Sequence, residues 1–137
     1  MTQKNKDLLL KDLCARLPYG IKAEIKYYDN VWELLAIYTN GTTYVTRDVG
    51  YPIETYFDHC KPYLFPLSSM TEEQKEELCI LCDWHDDKND AKSILVLYQG
   101  QFVMNTDVID WFHKNHIDWR GLIPKGLALD ATGLNIY

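Results

Sequence analysis

The spacing of apolar residues changes abruptly at residues 18–20, and that change constrains the fold more than any other feature of the chain. Before it, Leu10, Leu13, Cys14 and Leu17 recur at the i, i+3, i+4, i+7 spacing of one helix face, which predicts a helix over residues 6–17 capped by Asn5. Pro18 and Gly20 stop it. After it, Ile21, Ala23, Ile25 and Tyr27 alternate with Lys22, Glu24 and Lys26, the period of a strand with one wet face.

Period two then persists through three more segments. Asp29-Asn30 turns the chain into residues 31–39, where Glu33 alone is polar before Thr39, so a central strand covered on both faces is expected. Asn40-Gly41 is a hairpin dipeptide, because a tight turn matching strand twist needs positive φ at both central residues. Residues 42–47 answer as the partner strand, and residues 51–56 form a fourth, confined to an edge by Pro52. Four short strands in so few residues predict a small bent antiparallel sheet or an SH3-like barrel. Residues 60–67 carry Pro62 and Pro66 and are read as a rigid packed connector.

The second half reads as helical. Thr71-Glu72-Glu73-Gln74 has the form of a capping box, so a helix should start there and run to about residue 83, burying Leu78, Leu81 and Cys82. A charged loop over residues 85–92 leads to a second hairpin over residues 93–104, with a helix as the alternative for its short apolar run. Asn105 or Thr106 caps a further helix to Asn115, and residues 116–124 should form a turn and a short helical piece. With no linker, repeat or low-complexity stretch, the reading is one α+β domain over residues 1–137, with a helix-plus-barrel half (1–70) and a helical half (71–137).

The net charge of -6 is local. Residues 71–90 hold eight acids (Glu72, Glu73, Glu76, Glu77, Asp83, Asp86, Asp87, Asp90) against Lys75 and Lys88, a net of -6, so the remaining twelve acids and twelve bases cancel. Residues 1–28 lean basic, with Lys4, Lys6, Lys11, Arg16, Lys22 and Lys26 against three acids. The overall acidity argues against a protein that lives on phosphate backbones. The acidic segment is either a solvated helix face or a docking face for a basic partner. The start lacks the apolar core of a signal peptide and no apolar run approaches the length of a membrane span, so a cytoplasmic chain with reduced cysteines is expected.

Several residues invite chemistry. Cys79, Cys82 and His85 with His113 and His116 have the spacing of a zinc set. Against it, both cysteines continue an apolar helix stripe, where a free thiol packs as a small hydrophobe, and the histidines are read as surface groups. A redox Cys-x-x-Cys belongs at a helix start, whereas this pair comes late, beside Glu76, Glu77 and Asp83. His59 and Cys60 are adjacent on an extended chain and point to opposite faces. No phosphate loop, dinucleotide fingerprint, nucleophile elbow or zincin motif is present, so no catalytic, metal or cofactor residue is assigned. The dense rings of the first half either fill a short-stranded core or bind a ligand; Tyr28, on the wet face, is the one expected exposed. Trp119 and Arg120 in the closing turn either pack or dock.

Two stretches carry a resemblance: K-P-Y-L-F-P-L-S-S-M-T-E-E at residues 61–73, and D-W-F-H-K-N-H-I-D-W-R-G-L-I-P-K-G-L-A-L at residues 110–129. They resemble segments of small uncharacterised proteins encoded by bacteriophages, prophages and other mobile elements of gut bacteria. The resemblance implies origin and architecture and brings no activity, cofactor or catalytic residue. The expected function is therefore a non-catalytic accessory protein that binds a host or phage protein, with Glu72, Glu73, Glu76, Asp86, Asp87, Tyr28, Trp119 and Arg120 as candidate contact residues. A small nucleic-acid-associated regulator is the second reading, and a zinc protein or enzyme the third.

Overall fold

The structure, a computed structural model, describes residues 1–47, 50–81 and 106–137; the second hairpin expected at 93–104, Cys82 and the loop at 85–92 lie outside the described residues. Helix α1 spans Gln3–Arg16 and starts earlier than the sequence suggests, because Thr2 rather than Asn5 is its cap and its hydroxyl accepts the Asn5 N–H. Its buried face is also rotated: Leu9, Asp12, Leu13 and Arg16 are fully covered, while Cys14 is exposed. The spacing is that of one helix face, but two of its four members are charged.

Strands β1 (Lys22–Ile25), β2 (Trp32–Ile37), β3 (Thr42–Thr46) and β4 (Ile53–Tyr56) follow the predicted order and pair antiparallel in sequence. A bulge between Leu34 and Ala36 bends β2. The β2–β3 turn needs its glycine: Gly41 has φ +90°, and an added Cβ would stand 2.9 Å from the Tyr56 ring and 3.1 Å from that of Phe57. Tyr27 corrects the alternation. The strand stops at Ile25, Tyr27 takes φ 74°, and its ring is 83% exposed rather than part of the core.

Residues 60–67 overturn the connector reading, since Cys60–Pro66 is strand β5, paired antiparallel with β1 and parallel with two later strands. Both prolines sit where no N–H is required. The Lys26 N–H donates to His59 O at 2.9 Å, which by alternation makes Ala23–Pro62 a pair without backbone bonds. Further along, the Phe65 N–H donates to His116 O at 2.8 Å, leaving Pro66 with no donor role beside Asp118. The tail is likewise strand and not helix: β6 (Ile117–Asp118) and β7 (Leu129–Asp130) both run parallel to β5. The domain is thus α+β with a bent, open sheet, as expected, in the order β4-β3-β2-β1-β5-β6 with β7 also on β5; the two parallel pairings on β5 make it mixed where antiparallel pairing was expected.

Helix α2 (Glu72–Leu81) begins with the predicted capping box, the Thr71 hydroxyl accepting the Gln74 N–H at 3.1 Å while Gln74 Oε1 accepts the Thr71 N–H at 3.0 Å. Helix α3 (Thr106–Lys114) is followed by a turn in which His116, with φ 58°, leads the chain into β6. One core cluster packs α1 (Leu9, Leu13) against Ala23, Ile25, Trp32, Leu34 and Val45 of the sheet. A second joins Met70, Leu78, Val108, Phe112 and Ile117, and a third joins Leu64, Leu122, Leu127 and Ala128. Among the described residues, no helix is long and apolar enough to cross a membrane.

Candidate functional site

The predicted contact residues fall into three places. Glu72, Glu73 and Glu76 are exposed on α2, where Glu72 holds Lys75 at 3.3 Å and the neighbouring Glu77 accepts the Trp111 indole N–H at 3.0 Å. Asp86 and Asp87 lie outside the described residues. Tyr28 is exposed, as expected, although it lies in the turn beyond β1 rather than on the strand's wet face, and it stands edge-on to Trp32 with centroids 5.8 Å apart. Trp119 and Arg120 turn inward instead, into a polar cluster that the sequence did not announce.

That cluster starts from the charged half of α1's buried face. Arg16 Nε donates to Asp12 Oδ2 at 2.8 Å, with both side chains fully covered, and Arg16 Nη2 donates to Ile117 O at 2.7 Å. Arg120 Nε stands 3.3 Å from Asp12 Oδ1, and its guanidinium lies 4.3 Å over the Trp119 ring. The Trp119 indole N–H donates to His113 Nε2 at 2.9 Å. Beside it, the buried Asp118 carboxylate accepts the N–H groups of Leu122 and Ile123 at 2.8 and 2.9 Å and fixes the closing turn. Burial raises the Asp12 carboxyl above its usual range, against the pull of Arg16 and Arg120. Burial, then Arg16 and Arg120, lower His113 to about 4.

This arrangement corrects the reading of His113 as a surface group: it is buried, neutral near pH 7, and its Nε2 lone pair is occupied by Trp119. His116 is stacked on Tyr137 at 3.6 Å between centroids and is also lowered to about 4, by burial and then by Arg16 and Lys22. Among the described residues, no group of three or more His, Cys, Asp or Glu is arranged to hold a metal ion. Cys60 is buried with Sγ against Tyr56 O at 3.6 Å, and burial pushes its thiol up to about 12, so it does not present a thiolate. The basic region at residues 1–28 also shrinks at the surface. Arg16 is inside, and Lys6 pairs with Asp58 at 3.6 Å.

The opposite side of the sheet from α1 is rich in rings. Tyr38 stands edge-on to Tyr44 at 5.5 Å, the Tyr44 hydroxyl donates to Glu54 Oε2 at 3.3 Å, and Tyr56 donates to Asn40 O at 2.8 Å. Where the bent sheet brings β4 towards the β1–β2 turn there is a hollow of about 390 Å³, lined by Lys26, Tyr27, Tyr28, Glu54, Tyr56 and His59. Lys26 Nζ lies 5.1 Å over the Tyr27 ring, and Tyr27 meets His59 edge-on at 6.1 Å. No protein-family model matches the chain, and no curated protein or solved structure is similar to it at a significant level.

The Asp12–Arg16 spacing of four, in phase with Leu9 and Leu13, was the available signal for the buried cluster. The hollow had no such signal, because it depends on the turn at Tyr27 and on the bend of the sheet.

Proposed function

We propose that this chain is a non-catalytic interaction protein of a phage or mobile element and binds a protein partner through the tyrosine-bearing side of its sheet. The observation that carries the reading is the exposure of large rings where α1 does not cover the sheet: Tyr38, Tyr56 and Tyr28 are about half exposed, and Tyr27 almost fully. Tyrosine offers a broad apolar face with a polar tip and little rotamer freedom to lose, so it is enriched where protein surfaces meet. Leu35, 49% exposed on β2, adds an aliphatic contact. The acidic face of α2 supports a supplementary role, steering a basic partner and raising its association rate.

Affinity capture from host lysate with three baits tests this reading: the natural chain, a Tyr27→Ser/Tyr28→Ser/Tyr38→Ser variant, and a Glu72→Lys/Glu73→Lys/Glu76→Lys variant. A protein retained by the first and third baits and lost by the second is the expected result. Retention by the tyrosine variant with loss from the charge-reversed one moves the contact to α2. A natural chain that retains nothing ends the reading.

A further inference from the structure

We propose that the hollow beside β4 receives an extended segment of the partner protein, added to β4 as a further strand, with a lysine or arginine side chain set against Glu54. This rests on the protein-binding reading above and deepens it. Parity along the ladder shows what β4 offers. The Phe57 N–H donates to Gly41 O at 3.0 Å, and the register pairs Thr42 with Tyr56, Thr43 with Thr55 and Tyr44 with Glu54. Bonded and non-bonded pairs alternate in an antiparallel ladder, so Ile53 and Thr55 exchange backbone bonds with β3 while Glu54 and Tyr56 do not. The N–H and C=O of Glu54 and the N–H of Tyr56 therefore face away from β3, and among the described residues no second strand pairs with β4. The Tyr56 carbonyl is already engaged by Cys60 Sγ. Three backbone groups in a row are what one added strand needs.

The far wall of the hollow is fixed. Lys26 N–H bonds His59 O at 2.9 Å and Tyr28 N–H bonds Ile25 O at 3.0 Å, holding Tyr27 and Tyr28 across from the edge. A strand entering here has β4 on one flank and two tyrosine rings on the other. Charge then selects its side chain. On the outer face Lys22 stands opposite Glu33 and Glu24 opposite Lys61, but Glu54 stands opposite Tyr44, and among the described residues no cation pairs with it. A carboxylate among tyrosine rings favours an incoming ammonium or guanidinium, and Lys26 over Tyr27 directs that cation towards Glu54 by repelling it from the other end. A second copy fits less well. Pairing β4 with itself about Glu54 sets two carboxylates opposite each other, and the alternative register needs the occupied Tyr56 carbonyl.

Selecting a displayed library of random seven-residue peptides on the full chain tests the inference, followed by anisotropy and amide exchange with one synthetic selected peptide. The expected winners carry Lys or Arg between β-branched residues. The peptide slows exchange at Glu54 and Tyr56, and Glu54→Gln weakens it about tenfold, the loss of one charge-assisted contact. A selected peptide that binds while both amides exchange as in the free protein overturns this site and leaves the protein-binding reading intact. No selected peptide at all overturns the strand inference, and the broader reading then falls only if capture with the natural chain also fails. A concentration-dependent dimer that protects the same amides without peptide assigns the edge to a second copy instead.

Discussion

Arg16 Nε lies 2.8 Å from Asp12 Oδ2, one turn along α1 and with neither side chain reaching solvent, so the helix carries a complete ion pair into the apolar interior. Arg16 then reaches Ile117 O, and Arg120 reaches the second Asp12 oxygen, which ties α1 to the closing turn across 101 residues of chain. Desolvation opposes burying the charges, so the pair stabilises chiefly by being whole.

Breaking it should therefore be far worse than replacing it. Asp12→Leu leaves two guanidinium groups without their carboxylate and should lower unfolding free energy by about 3–5 kcal/mol, as should Arg16→Met. The double variant Asp12→Leu/Arg16→Met should recover a large part of that loss, because no charge on α1 is then buried alone. Urea midpoints at pH 7 for the four proteins close the cycle. Additive losses would show that the two side chains contribute independently.

The histidines make stability fall on the acid side. His113 and His116 both take up a proton near pH 4 when folded and nearer 6.5 when unfolded, so between those values the unfolded chain binds more protons. Their contribution is complete above pH 6.5 and is lost as pH falls towards 4, at up to about 1.4 kcal/mol per pH unit for each, less for the half-buried His116. Asp12 acts in the opposite sense, since burial lifts its carboxyl above 3.8, so the histidine part of the slope between pH 6.5 and 4 is isolated by removing the histidines. Urea midpoints across that window should drop for the natural chain and flatten for His113→Gln/His116→Gln; equal slopes would remove the histidines as the cause.

How far the chain could be read in advance follows from which forces are local. The helix start at Thr71, the Asn40-Gly41 hairpin and the order of β1 to β4 were legible, because capping, turn dipeptides and side-chain alternation are written within a few residues, although Gly41 and not Asn40 takes the positive φ expected of both. β5 was not. Pro62 and Pro66 argue against a paired strand until the phase of each neighbour is known, and that phase is set by His59 and His116 from elsewhere in the chain. The face of α1 was misread because charge was taken as a mark of exposure, while Asp12 and Arg16 neutralise each other inside. Tyr28 is exposed as expected, but strand alternation did not put it there: the backbone leaves the strand after Ile25 and turns at Tyr27, which is why Tyr27 escaped.

Gly41→Ala should be disproportionately harmful for a surface hairpin. The position combines φ +90° with ring atoms of Tyr56 and Phe57 within 3.3 Å of any added Cβ, so strain and overlap add. A loss of about 2 kcal/mol is expected, with the Tyr56-to-Asn40 hydrogen bond disturbed as well. Thermal or urea unfolding measures it, and the β3–β4 amides should exchange faster in the same variant. A change below about 0.5 kcal/mol would mean that the turn re-forms around the methyl group.

Tyr137 closes the ladder between β1 and β5 from outside. Its hydroxyl accepts the Lys22 N–H at 3.0 Å and donates to Tyr63 O at 2.8 Å, while its ring lies nearly parallel to His116, and burial holds the phenol at about 12. Tyr137→Phe keeps the stacking and removes both hydrogen bonds, leaving the Lys22 donor without that acceptor. A loss of about 1–3 kcal/mol is expected, together with faster exchange of the Lys22 amide. Tyr137→Ala removes the stacking too and should lose more, and it should raise the His116 titration point by opening that ring to water. If Tyr137→Phe matches the natural chain in urea midpoint and Lys22 exchange, water replaces the hydroxyl without penalty and the ring alone holds the strands.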